Sequence, residues 1–155
     1  MSNKTVYIGN DHGGVQMKNE FISVLKEKGY EVVNIGTDTE EIVRYPYYAE
    51  KVTKAVLSGI ADKGILICST GVGMSIIANR YPGIRASNVC TTYMAKMTRK
   101  HNDSNVLCLG GKTIGIFEAL DILTTWLDTD YEGGRHDISL GIIKELEQAI
   151  YLKKK

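Results

Sequence analysis

Short β-like runs alternate with amphipathic helical stretches along the whole chain, and this alternation limits the fold more than any other feature. Strands are predicted over 5–9, 31–36, 64–68, 84–88 and 105–110. Between them lie apolar residues at helical spacing. Met17, Phe21, Val24 and Leu25 mark the first helix, which Gly29 closes. Tyr45-Pro46 opens the second, with Pro46 tolerated in its first turn and Ala49, Val52 and Val56 on its buried face. A helix over about 74–79 follows the glycine-rich turn after the third strand. Another runs from a cap at Thr91 or Thr92 to about Arg99. Ala119, Ile122, Leu123 and Trp126 form the stripe of the next. The last, over about 138–151, carries Ile142, Leu146 and Ile150. It is expected to pack on its own domain or on a partner subunit.

Strands separated by helices need crossover connections, which give a parallel sheet covered on both faces. The third strand, apolar almost throughout, fits such burial. The expected fold is therefore a three-layer α/β/α, Rossmann-like arrangement with about five parallel strands. At 155 residues, the chain is expected to form a single domain spanning 1–155. Ligands of such sheets bind beyond the carboxyl ends of the strands.

Charge and cysteine content narrow the function classes. The net charge of +1 gives no electrostatic reason to expect a nucleic-acid partner. Lys153, Lys154 and Lys155 read as a solvated basic end. No apolar run approaches the roughly 20 residues that span a bilayer, and no signal peptide is visible. The three cysteines, Cys68, Cys90 and Cys108, form no CxxC pair. A reduced cytoplasmic protein without a membrane partner is expected.

The strand ends carry the chemistry. Asp11, His12, Gly13 and Gly14 follow the first strand. Cys68, Ser69, Thr70, Gly71, Val72 and Gly73 follow the third. Both groups fall on the carboxyl edge of the sheet. His101, Asn102 and Asp103 precede the fifth strand, so they fall on the amino edge. If they are functional, a neighbouring subunit's site must receive them. Cys90 and Cys108 read as buried strand cysteines. Position alone leaves Cys68 evenly divided between that reading and a chemical one. Its place before a glycine-rich turn that opens a helix favours an anion, and so the thiolate. Glycines in the turn let backbone N–H groups approach a ligand oxygen. A dinucleotide reading is weak, because Gly71-Val72-Gly73-Met74-Ser75-Ile76 lacks the third glycine and follows the third strand rather than the first. Asp11 could orient a hydroxyl or cap the following helix. His12 and His101 lie in polar loops. Lys112, Arg135 and His136 could bind a phosphate. The three histidines have no metal-type spacing, so no metal is expected.

Six motifs in one order then carry a resemblance. They are Asp11-His12-Gly13-Gly14; Tyr45-Pro46 with Tyr48-Ala49; Gly64 to Cys68 with Thr70 to Gly73; Gly83-Ile84-Arg85-Ala86; His101-Asn102-Asp103 with Asn105-Val106; and Gly133-Gly134-Arg135-His136. Over about residues 4 to 150 the chain resembles the type B ribose-5-phosphate isomerases. That family includes the galactose-6-phosphate and allose-6-phosphate isomerases. The resemblance implies a homodimer or homotetramer with active sites at the subunit interface, a small sugar phosphate as substrate, and no metal or organic cofactor. It implies that Cys68 moves a proton between C1 and C2 through a cis-enediolate. Thr70 and the backbone of Gly71, Val72 and Gly73 would hold the enediolate oxygen. Asp11 and Tyr45 would place the sugar, with Ser69 in the same turn. His101 would assist ring opening. His12 and, from the partner, Lys112 and Arg135 would hold the phosphate, with Asn102 lining the site from that partner.

Four positions depart from the family pattern. Ser69 replaces a usual glycine, Ser139 a second phosphate-binding arginine, Lys112 an arginine, and Arg44 an aspartate before Tyr-Pro. The first three touch the turn or the phosphate end and bear on substrate identity more than on reaction type. Ribose 5-phosphate is the expected substrate, and a six-carbon aldose phosphate the alternative. Two rival classes are a non-catalytic phosphate- or nucleotide-binding module and a subunit that needs a different partner chain.

Overall fold

A computed structural model describes residues 4–153. Lys154 and Lys155 of the basic end lie outside the described residues. Five parallel strands form one sheet: β1 (Thr5–Asn10), β2 (Glu31–Asn34), β3 (Lys63–Cys68), β4 (Ala86–Asn88) and β5 (Val106–Gly110). Their order is β2-β1-β3-β5-β4. Six helices accompany them: α1 (Val15–Glu27), α2 (Tyr45–Leu57), α3 (Val72–Ala78), α4 (Thr92–Asn102), α5 (Ile116–Asp128) and α6 (Arg135–Leu152).

The two faces of the sheet bury two apolar layers. Met17, Phe21 and Leu25 of α1, Ala95 of α4, and Ala119, Ile122, Leu123 and Trp126 of α5 cover one face. Ala49 and Val52 of α2 and Met74 and Ala78 of α3 cover the other. Each buried Leu, Ile or Phe contributes about 1.5–3 kcal/mol through its removal from water. Such doubly covered strands read as continuous apolar runs, as β3 and β5 do. After β1 the chain turns to β2 on one side, then crosses to β3 on the other. β1 and β3 thus flank the switch point, where a crevice opens beyond their carboxyl ends.

Several boundaries differ from the sequence expectation. Strand β4 starts at Ala86, because the Ile84 N–H donates into a turn to the Tyr81 carbonyl and the Arg85 N–H donates to Asn105 Oδ1. Strand β2 stops at Asn34, whose Oδ1 captures the Gly36 N–H. Helix α3 starts at Val72, so Val72 and Gly73 belong to its first turn rather than to the preceding loop. Helix α4 continues to Asn102, which puts His101 on its last turn and not in a loop. Thr91, not Thr92, caps α4 by accepting the Met94 N–H. Cys90 is exposed beyond β4, not a buried strand cysteine, whereas Cys108 is buried.

Helix α6 differs from the others in burying no residue. Ile142, Leu146 and Ile150 remain 50%, 59% and 56% exposed. Among the described residues, no helix is long and apolar enough to cross a membrane.

Candidate active site

Three connections interlock at the carboxyl edge of the sheet. The Asp11 N–H donates to the Ile67 carbonyl, the Gly111 N–H to the Cys68 carbonyl and the Lys112 N–H to the Ser69 carbonyl. Asp11 is buried, and its Oδ1 accepts the Gly13 N–H at 2.8 Å. It therefore caps the short 3-10 turn His12–Gly14. Ser69 sits directly against Gly13, where a Cβ would collide with its hydroxyl. The serine in place of glycine is thus accommodated by the absent side chain opposite.

Cys68 ends β3 at 5% exposure, and its Sγ accepts the Gly71 N–H at 3.1 Å. That donor stabilises negative charge on sulfur. Gly71 makes the contact possible: its φ is +77°, and a side chain there would strike Asn88 and the Leu109 backbone. Thr70 is exposed, and its Oγ1 accepts the Val72 N–H. The Tyr45 ring lies over Gly73, so close that a Cβ would come within 2.8 Å of it. Asp11, Tyr45 and the 68–73 turn thus frame the Cys68 end of the crevice. The neighbouring thiol of Cys108 behaves differently. Burial, and then the charge of Cys68, push its pKa well above the usual thiol range.

Beside this end lies a polar cavity of about 460 Å³ lined by His12, Gly13, Glu40, Gly111 and Lys112. His12 Nδ1 accepts the Val43 N–H at 3.3 Å, which leaves the other nitrogen of the neutral ring as the donor. The 35–44 loop that supplies this N–H is pinned from below. The fully buried Lys18 donates to the Thr37 carbonyl at 2.6 Å and to Asp38 at 2.5 Å. The Lys18 ammonium, together with the Asn34 amide, holds the Asp38 carboxyl below its ordinary range. Lys112 was expected from a partner subunit. It instead follows β5 on the same edge as Cys68, and lines one cavity with its own chain's His12. Glu40, the acidic member of this cavity, carried no sequence signal.

His101 and Asn102 occupy the opposite, amino edge, as the order of elements implies, and Arg135 begins α6 beside the His101 turn through its neighbour His136. The length of β5 alone, from Val106 to Gly110, separates the two edges by about 13 Å at roughly 3.3 Å per residue. Arg85 clamps this region, donating to the carbonyls of Asn102 and Asp103 at 2.8 and 2.9 Å and pairing with the Asp103 carboxylate. Arg99 pairs with the same carboxylate at 2.8 Å and donates to the Ser104 carbonyl. Asp103 holds the left-handed conformation that ends α4, which aspartate tolerates. Arg135 is exposed at the start of α6, and Ser139 is exposed one turn later.

His136 was grouped with Arg135 as a phosphate ligand. Its side chain is instead 13% exposed and stacks on His101, with ring centroids 4.4 Å apart and planes at 21°. Histidine spacing along the sequence gave no metal site, yet potential ligand atoms of His101, Glu132 and His136 lie within 4.8 Å of one another. The near-parallel rings argue against a shared ion, because a metal lies close to the plane of each imidazole that binds it. Histidines 35 positions apart carry no local signal of this meeting.

A larger apolar groove of about 640 Å³ runs between α6 and the 82–85 turn, lined in part by Leu140, Ile143 and Tyr151. None of the expected site residues lines it.

The sequence and fold have known counterparts. A family model described as Ribose/Galactose Isomerase matches residues 6–143. Ribose-5-phosphate isomerase B of Escherichia coli (strain K12) is 45% identical over 145 residues, 94% of this chain and 97% of that protein. The solved structure of Clostridium thermocellum ribose-5-phosphate isomerase B superposes with a TM-score of 0.92 at 49% identity, covering 94% of this chain and 99% of that one. Type B ribose 5-phosphate isomerase of Trypanosoma brucei follows with a TM-score of 0.89 at 43% identity, over 93% and 99% of the two chains. By sequence and by fold, the chain belongs to the ribose/galactose isomerase family.

Proposed function

We propose that this chain interconverts ribose 5-phosphate and ribulose 5-phosphate, with Cys68 as the base. The observation that carries this reading is the Cys68 thiol, held by the Gly71 N–H at the switch point of a family fold whose relatives are ribose-5-phosphate isomerases. Enolisation needs a base beside a C–H bond and donors where the oxygen becomes negative. Cys68 takes the proton from C2 of the open-chain aldose and returns it to C1. Thr70 and the Gly71–Gly73 backbone are offered to the developing oxyanion, although within this chain the Gly71 N–H holds the thiol and the Val72 N–H holds the Thr70 hydroxyl. One such donor contributes about 2.7–4 kcal/mol to transition-state stabilisation. Asp11 and Tyr45 hold the sugar hydroxyls. His12 and Lys112 take the phosphate in the polar cavity, where remote binding energy orients the reacting carbons.

His101, Asn102 and Arg135 act in the site of a second copy. The chain thus works as a homodimer or a homotetramer built from such pairs. The exposed apolar stripe of α6 supports this arrangement, since Ile142, Leu146 and Ile150 need a cover that the described residues do not provide. Its three free thiols support a reducing, cytoplasmic location.

A panel of phosphorylated five- and six-carbon aldoses, scored for ketose formation, tests the reading. Ribose 5-phosphate is expected to give the highest kcat/KM. Preference for a six-carbon aldose phosphate would move the substrate, and turnover of none would remove the isomerase reading.

A further inference from the structure

We propose that His136 is a positioning residue for His101, fixing that imidazole in the orientation ring opening requires. The inference rests on the isomerase reading above. Four observations support it. The two rings stack at 4.4 Å and 21°, a contact that restricts rotation of His101. His136 lies in the first turn of α6 and His101 in the last turn of α4, so one ring contact joins two helix ends. The loop before α6 is tied to the same turn: the Glu132 N–H donates to the Lys100 carbonyl at 3.2 Å, and the Lys100 ammonium lies 3.5 Å from the Glu132 carboxylate. Finally, His136 Nε2 is buried, lies 3.8 Å from Glu132 Oε1 and has no hydrogen-bond partner among the described residues. A buried nitrogen without a partner opposes folding. The ring meets His101 through its face and not through a hydrogen bond.

Ring opening breaks the C1–O4 bond, forms the C1=O1 double bond and carries one proton from O1 to O4. A single imidazole performs this by accepting at one oxygen and donating at the other, provided that it cannot swing away. Misplacement of a catalytic group by about 1 Å costs up to roughly 100-fold in rate. Arg135 begins the same helix, next in sequence to His136, so the stack joins the helix end that carries Arg135 to the one that carries His101.

Ribulose 5-phosphate separates positioning from general damage. Its C5 oxygen carries the phosphate, so it closes no furanose ring, and Cys68 can exchange its C1 hydrogen with solvent without any ring step. His136→Ala is expected to lower kcat for ribose 5-phosphate by about 10- to 100-fold. Exchange at C1 of ribulose 5-phosphate in D₂O, followed by NMR, should stay within about 2-fold of wild type, because Cys68 and its donors are untouched. His136→Phe, which keeps a stacking ring without nitrogens, should recover most of the ribose 5-phosphate turnover. Equal loss of both activities in His136→Ala would overturn the proposal, as would a His136→Phe variant no better than the alanine. An inactive wild type would instead remove the isomerase reading itself.

Discussion

The two edges of the sheet are built differently. At the carboxyl edge, backbone groups do the positioning. The Cys68 thiol, the Asp11 cap and the Lys112 turn are all fixed by N–H groups from residues near them in space and mostly near them in sequence. At the amino edge, long side chains do it. Arg85 holds the Asn102 and Asp103 carbonyls, Arg99 holds the Asp103 carboxylate, and the His136 ring stacks on His101. Backbone turns tolerate little movement and suit the atoms where bonds change. A side-chain clamp suits groups presented outward to another subunit.

The largest expected effect breaks the carboxyl edge at its reacting atom. Cys68→Ala should leave the fold intact, as checked by circular dichroism, and lower kcat at least about 100-fold, the lower range for general-base help. Near-wild-type turnover would show that another group takes the proton. Arg85→Met tests the opposite edge. It removes charged hydrogen bonds worth about 1.5–3 kcal/mol each before solvent exposure reduces them. It should lower the thermal midpoint and reduce kcat for ribose 5-phosphate more than it changes KM. A pure stability loss, with kcat unchanged at a permissive temperature, would mean that the clamp does not orient His101.

The smallest effect sharpens the contrast at the amino end of β3. The Lys63 ammonium lies 4.9 Å from the centre of a Trp126 ring. Burial, followed by the charges of Arg99 and Lys4, brings its pKa down from 10.5 to about 8. The unfolded chain therefore holds the extra proton between pH 8 and 10.5. The penalty for burying the ammonium is full below pH 8 and is relieved as pH rises through that window. In urea unfolding, wild type should gain stability relative to Lys63→Met as pH rises from 7.5 to 10.5, by about 1 kcal/mol after screening by solvent. A difference that stays constant with pH would contradict this account.

The residues that sequence reading located best are those whose surroundings are local. The five strands, the carboxyl-edge turn at Cys68 and the amino-edge placement of His101 all follow from the order of elements. The end of α4 was missed because apolar periodicity stops before Arg99, while Arg99 and Asp103 extend the helix through side-chain pairing. The first turn of α6 was missed for a similar reason, since Arg135, His136 and Asp137 are polar and no side chain caps it. Lys112 stands on the Cys68 edge because it follows β5 directly, whereas the resemblance implies that it comes from a partner. The His101–His136 stack and the part of Glu40 in the cavity depend on tertiary contacts that no spacing reveals.

The central claim is that one chain's Cys68 edge works with another chain's His101 edge. Mixing purified Cys68→Ala with His101→Ala under conditions that allow subunits to exchange tests it directly. Each mixed dimer would hold one site with both edges intact, so random pairing should restore about a quarter of wild-type turnover from two nearly inactive proteins. Turnover no higher than that of either variant alone, with mixed dimers confirmed by native mass spectrometry, would contradict a site shared between subunits.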